Sequence, residues 1–251
     1  MKKISTFETT ANIALVKYWG KRNEKLVLPQ EGSVSVTMDE TLKTRTTVLF
    51  SEKLKEDELW LNGKKVNLDN SEAKERLRIL DLIRKKAGIK EKAKIASLNC
   101  FPTETGFASS AAGLAALTLA SVKGSGLRLS LKEISILARL GSGSACRSIF
   151  GGFVEWKRGK KKDGSDSFAF QFAPPSHWPE LRNLITIVSY EKKRISSRVG
   201  MRATVKTSIL YPARLKYLPS LIKKVKKAIL NRNFHLLAEL VMRESNNLHA
   251  V

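Results

Sequence analysis

Strand-forming stretches crowd the first half of this chain and amphipathic helical runs its last quarter, with no regular alternation between the two. The β-branched, alternating segments Ser33 to Met38, Thr44 to Phe50 and Lys94 to Phe101 read as strands. Glu58 to Leu68 reads as a hairpin turning at Asn62-Gly63, a pair that tolerates a tight two-residue turn. Asn70 or Ser71 caps a predicted helix that runs to Ala87 and is ended by Gly88. A small-residue helix is expected from about Ala108 to Val122, and another from Ser130, with Glu133 as its capping partner, to Leu140. Strands return at Gly152 to Trp156, Phe168 to Phe172 and Leu184 to Ser189. Pro174-Pro175 and Pro179 mark a break, which divides residues 1–180 from 181–251. Beyond Ser189 the chain reads as mainly helical, with runs near Leu215 to Leu230 and Phe234 to Met242. Strands first, with helices interspersed, predict an α+β fold.

Charge narrows the partners. The chain carries 46 Lys and Arg against 23 Asp and Glu, a formal +23. Such a field attracts polyanions. The basic residues are dispersed, however, over Arg84–Lys86, Lys157–Lys162, Lys192–Arg194 and Lys223–Lys227, without zinc spacing, an aromatic RNA-binding strand or a basic heptad. The expected partner is therefore an anionic small molecule rather than nucleic acid. No apolar run is long enough for a membrane span. The segment Met1 to Glu8 has no apolar centre of a signal peptide, so a cytoplasmic location is expected. Cys100 and Cys146 form no C-x-x-C pair, and three isolated histidines make no metal site.

Three segments rich in small residues carry the chemistry. Phe101-Pro-Thr-Glu-Thr-Gly-Phe-Ala-Ser-Ser-Ala-Ala-Gly113 leaves a strand and opens a helix, where free amides and the positive helix end converge on an anion. No G-x-x-x-x-G-K-[ST] loop occurs, and a packed Ala/Ser helix accounts for the same pattern. Gly141-Ser-Gly-Ser-Ala-Cys-Arg-Ser148 places Arg147 where a guanidinium can hold a carboxylate through two parallel hydrogen bonds, although a loop with a surface arginine reads equally well. In Ala11-Asn-Ile-Ala-Leu-Val-Lys-Tyr-Trp-Gly-Lys-Arg22, cations flank an aromatic pair, which suits an anion site with one dry wall or an ordinary strand with exposed lysines.

In their order along the chain these segments resemble the diphosphomevalonate decarboxylase family of the GHMP kinase superfamily. The resemblance runs through Lys17-Tyr-Trp-Gly-Lys21, Leu28-Pro29, Ser33-Val-Ser-Val-Thr37, Pro102 to Gly113, Gly141 to Trp156, Val199 to Ser208 and Glu244-Ser-Asn-Asn-Leu-His-Ala250. It implies a two-domain fold, with a ribosomal protein S5 domain 2-like N-terminal domain over residues 1–180 and a ferredoxin-like C-terminal domain over 181–251. It also implies a homodimer that uses ATP and Mg2+ to decarboxylate 5-diphosphomevalonate to isopentenyl diphosphate. Carried over by motif, Arg147, Asn12 and Lys17 would be catalytic. Tyr18, Trp19, Gly20, Lys21, Ser142, Gly143, Ser144, Ala145, Cys146, Ser197 and Thr207 would line the substrate pocket. Gly106, Phe107, Ala108, Ser109 and Ser110 would hold the ATP phosphates, with Ser110 also reaching the magnesium.

The family's pattern also includes an aspartate in a D-A-G-P-N-like segment, and no such segment occurs in these 251 residues. The C-terminal domain is therefore expected to be incomplete relative to the family, and the 251-residue chain weakly active. Glu72 stands where relatives carry a diphosphate-binding arginine, with Lys74 two residues away, and Glu104 falls beside the phosphate loop. A related mevalonate-type 3-kinase, a phosphomevalonate decarboxylase and a non-catalytic truncated homologue that binds ATP or anions are the competing expectations.

Overall fold

A computed structural model describes residues 3–100, 109–186 and 196–251, with the backbone alone for Ser71, Glu72, Glu75, Ser109 and Ser110. The first sheet is built from β1 (Ile4–Thr10), β6 (Lys43–Ser51), β9 (Lys92–Asn99), β7 (Glu58–Leu61) and β8 (Lys64–Lys65), in that spatial order. All its pairings are antiparallel except β7 with β9. Along β6, Thr44, Thr46, Val48 and Phe50 turn inward at every second position, as a sheet with one buried face requires. The hairpin turns where expected, with Asn62 and Gly63 both at positive φ (49° and 78°). Its second strand is short, and Val66 N–H still donates across the hairpin to the Leu59 carbonyl at 2.8 Å.

Three helices cover the inner face. α1 (Ser71–Ala87) starts at Asn70, whose side chain accepts the Ala73 N–H, and stops at Gly88 in the left-handed region (φ 67°). α3 (Leu131–Gly141) carries the reciprocal Ser130–Glu133 capping box. Between them α2 (Ser109–Gly124) is buried almost all round, and Ala111, Ala112, Ala115, Ala116 and Ala120 let it lie close against β1 and β6. Val48, Phe50, Leu59, Ile79, Leu80, Ile83, Ile95 and Leu114 form the core of this layer.

The second sheet is antiparallel throughout: β11 (Ala169–Ala173), β10 (Phe153–Trp156), β5 (Ser33–Thr37) and β2 (Asn12–Val16), with a small ribbon of β3 (Lys21–Asn23) and β4 (Leu28–Pro29) beside it. Its Val16, Val34 and Phe153 share a core with Leu218, Leu221, Val225 and Leu237 of α5 (Tyr211–Leu230) and α6 (Phe234–His249). Its other side packs Trp156, Val154 and Tyr18 against Met201 of α4 (Ser197–Thr207). The strand expected at Leu184 to Ser189 is not formed over 184–186: these residues pair with no strand, and Leu184 is 92% exposed. The remainder of that stretch lies outside the described residues. Among the described residues no helix is long and apolar enough to cross a membrane.

Candidate functional site

Alternation along β5 sends Val34 into the helical core and Ser33 and Ser35 to the opposite face of the sheet, where the turn after α3 brings Arg147. That turn, Gly143–Cys146, is a single 3-10 coil closed by Arg147 N–H donating to the Ser144 carbonyl. It packs tightly: a side chain on Gly143 would come within 2.7 Å of the buried Trp156 ring, so the backbone approaches the aromatic wall only because the residue is glycine.

Arg147 is 4% exposed and neutral groups surround it. Nε and Nη2 donate to Asn12 Oδ1 at 3.1 and 2.9 Å, and Nη1 donates to Ser33 Oγ at 2.8 Å. Asn12 is oriented in turn by its Nδ2, which donates to Ser148 Oγ at 2.7 Å and to the Ser144 carbonyl at 3.2 Å. Among the described residues no carboxylate pairs with this guanidinium. Three of its five N–H bonds are used, which leaves one on each terminal nitrogen. Burial lowers its proton affinity. Two hydroxyls nearby, Tyr18 Oη and Ser35 Oγ, are buried without a partner among the described residues. Burial also pushes the Tyr18 phenol well above its ordinary range.

Lys17 leaves β2 with its ammonium 5.7 Å from the centroid of the Trp19 ring. The Trp19 indole N–H donates to Thr204 Oγ1 of α4 at 3.0 Å, and the Tyr211 hydroxyl donates to the Trp19 carbonyl. Gly20 sits at φ 103° against Tyr211 and Val205, where any side chain would overlap the Tyr211 hydroxyl. Lys21 is ion-paired with Glu24 at 2.6 Å.

The structure brings Asn12, Arg147, Ser33, Ser144 and Ser148 into one hydrogen-bonded layer, with Ser142 Oγ 3.2 Å from Ser144 Oγ and Tyr18 against Gly143. Cys146 does not line a pocket with its side chain: it is fully buried, its thiol donates to the Gly143 carbonyl, and burial pushes it up to about 12. Ala145 is likewise turned into the first core. Ser197 is exposed, and Thr207 spends its hydroxyl on the Ala203 carbonyl of its own helix. On α4 it is Arg198 that reaches the turn, donating to the Gly141 carbonyl at 3.3 Å. Lys74 is exposed on α1, whose buried arginines are Arg76 and Arg84; Arg76 Nη2 would lie 3.9 Å from a side chain placed on Gly113. Gly106, Phe107, Ala108 and Glu104 lie outside the described residues. Ser109 and Ser110 open α2, whose first turn holds no acidic residue.

Sequence reasoning passed over Ser33, Ser148, Arg76, Arg198 and Arg214. The alternation of Ser33-Val-Ser-Val-Thr37 was the available signal for the first. Among the described residues no cluster of His, Cys, Asp and Glu could hold a metal ion. The opening of α2, with its main-chain N–H groups and small residues, fits a phosphate–magnesium group better than a bare cation.

Two family models match: a diphosphomevalonate decarboxylase-like N-terminal domain over residues 9–169, and a mevalonate 5-diphosphate decarboxylase C-terminal domain over 183–251. The human diphosphomevalonate decarboxylase is 45% identical over 98% of this chain, which spans 64% of that protein's length. A crystal structure of mevalonate diphosphate decarboxylase from Staphylococcus aureus superposes with a TM-score of 0.88 at 36% identity, covering 100% of this chain and 74% of the other. A structure described as MDDEF in complex with MVAPP, AMPPCP and magnesium gives 0.87 at 39% identity over 98% of this chain and 74% of its own.

Proposed function

Because the chain belongs to the diphosphomevalonate decarboxylase family, we propose that it carries out the ATP-dependent conversion of (R)-5-diphosphomevalonate to isopentenyl diphosphate, ADP, phosphate and carbon dioxide. The observation that carries this reading is the Arg147 guanidinium, buried among neutral partners with one N–H left on each terminal nitrogen. A buried charge is costly unless an opposite charge meets it. The substrate's carboxylate supplies that charge and an acceptor for those donors.

The chemistry has two stages. The γ-phosphoryl group of ATP passes to the tertiary 3-hydroxyl, which makes a poor leaving group a good one. The C–O bond to that phosphate then breaks while the bond to the carboxylate carbon supplies the electrons of the new double bond, and carbon dioxide departs. Little of this asks the protein for covalent chemistry, so placement and electrostatics dominate. In this reading Arg147 grips the carboxylate, Asn12 orients Arg147 and sits beside the reacting carbon, and the Lys17 ammonium faces the 3-oxygen. Tyr18, Trp19, Gly20, Lys21, Ser142, Gly143 and Ser144 surround the rest of the substrate, Cys146 contributing through its main chain. The amides from Gly106 to Ser110 and the start of α2 cradle the ATP phosphates. Ser110 would be this chain's residue toward the magnesium, which when bound would screen the phosphate charge. The same family reading carries a division at residue 180, a homodimer and a cytoplasmic location.

The test is incubation with ATP, magnesium and 5-diphosphomevalonate, with ADP and carbon dioxide followed together. Equal release of both supports the decarboxylase. ADP without carbon dioxide identifies a 3-kinase, and neither product rejects catalysis by this chain.

A further inference from the structure

Both main-chain polar groups of Lys17 are held by one buried ion pair from the two C-terminal helices. Glu244 of α6 accepts the Lys17 N–H at Oε1 (2.9 Å), and the same oxygen accepts Arg214 Nη2 of α5 at 2.7 Å. Arg214 Nη2 in turn donates to the Lys17 carbonyl at 3.2 Å, which closes a ring of contacts around one residue. Arg214 Nη1 completes the pair, donating to Glu244 Oε2 at 2.8 Å and to Asn247 Oδ1 at 2.5 Å. The two residues are 1% and 3% exposed.

Stability alone does not account for such a pair. Desolvating both charges is expensive, and packed apolar residues of similar volume generally serve a core as well or better. Apolar residues cannot offer an acceptor to the N–H and a donor to the C=O of one residue. The β2–β5 register ends at Val16, and the next residue, Lys17, meets both an acceptor for its N–H and a donor for its C=O in this pair. The hold continues two residues on, where Tyr211 of α5 and Thr204 of α4 bind Trp19. The segment from Lys17 to Gly20 is thus tied to three helices on one side and to β2 on the other.

We propose that Arg214 and Glu244 are a positioning pair for Lys17. They fix the backbone from which its ammonium reaches the reacting end of the substrate, and they make that reach depend on how α5 and α6 sit on the sheet. The role of Lys17 itself rests on the decarboxylase reading, whereas the hold on its backbone rests on the hydrogen-bond geometry.

Removing one partner strands the other charge in the core, so the test removes both together. Arg214→Met with Glu244→Gln keeps an amide oxygen for the Lys17 N–H, and Arg214→Met with Glu244→Leu does not. Three quantities are measured: amide hydrogen exchange at residues 17–20, affinity for a non-hydrolysable ATP analogue with magnesium, and kcat and KM with 5-diphosphomevalonate. In the wild-type chain the Lys17 amide exchanges slowly. In the Met/Leu variant it exchanges at least about tenfold faster and kcat falls about 10²-fold, the scale of a 1 Å misplacement, at unchanged nucleotide affinity. The Met/Gln variant stays closer to wild type on both readouts. A fast-exchanging Lys17 amide in the wild-type chain, or equal kcat in all three proteins, overturns the proposal. Absence of turnover in the wild type counts against the decarboxylase reading alone, and the exchange rates still decide the hold.

Discussion

Cys146 and Arg147 are both buried, and burial moves each proton equilibrium toward the neutral form. For the thiol that is the end of the matter: pushed up to about 12, it stays protonated at any ordinary pH. A thiol titration at pH 8 should therefore find one reactive cysteine, the exposed Cys100, in the folded chain and two after denaturation. Two fast-reacting thiols in the native protein would show that the 141–148 turn opens. The guanidinium stays charged despite its burial, so desolvation strengthens its attraction for an anion. Arg147→Lys keeps the charge but not the paired donors, nor the bonds to Asn12 and Ser33. Steady-state kinetics should show kcat down about 10²-fold or more with ATP affinity unchanged. Wild-type kinetics would remove Arg147 from the reacting centre. The segment Gly-Ser-Gly-Ser-Ala-Cys-Arg alone left Arg147 open between an anion site and a surface arginine, and the structure buries it. Its partners were not legible there, because Asn12 and Ser33 lie 135 and 114 residues away in sequence, and a local pattern does not report which strand face meets which turn.

Elements whose ends are chemically marked were the ones sequence could bound. Asn70 and Gly88 fix α1, Ser130 and Glu133 start α3, and Asn62-Gly63 turns the hairpin, each through local hydrogen bonds or φ values. α4 is marked at its start by Ser196, whose Oγ accepts the Val199 N–H at 3.4 Å, but its interior is unfavourable, since Val199, Gly200, Thr204, Val205 and Thr207 are poor helix formers. It holds through tertiary contacts, with Met201 buried and Gly200 lying against the Trp19 ring. Residues 184–186 are the converse case, strand-like in sequence but outside any ladder among the described residues. α2 was legible as a helix but ambiguous in purpose, since small residues serve close packing and anion approach alike. Ser110→Ala separates the two. If α2 opens onto ATP phosphates, the Michaelis constant for ATP rises and turnover falls while the melting temperature hardly moves. Unchanged nucleotide affinity by calorimetry would leave the start of α2 a packing element.

At the scale of the molecule, the site draws on both sheets' helices and on residues from Asn12 to Glu244, so binding parts and proton-handling parts need not travel together. The acids described around it are already committed. Glu244 holds Arg214 and the Lys17 N–H, Glu24 holds Lys21, and Glu155 is paired with Lys226. None is left to orient the 3-hydroxyl, the task the family resemblance gives to an aspartate in a segment that these 251 residues do not contain. The chain spans 64% of the human relative's length. A polypeptide of these 251 residues is therefore expected to bind nucleotide and 5-diphosphomevalonate, because Arg147, Lys17 and the start of α2 are all present. Its carbon dioxide release should run about 10²–10⁴-fold below that of the same polypeptide extended by the remaining C-terminal segment of a relative, the usual cost of losing a positioned acid–base group. Two measurements on matched preparations decide it, the calorimetric affinity for a magnesium–nucleotide complex and the rate of carbon dioxide release. Similar affinities with a large difference in rate support the separation of binding from proton handling. Equal rates would mean that an acid now seen in an ion pair is released when substrate binds, and Glu24, in the half-exposed pair with Lys21, would be the first to substitute.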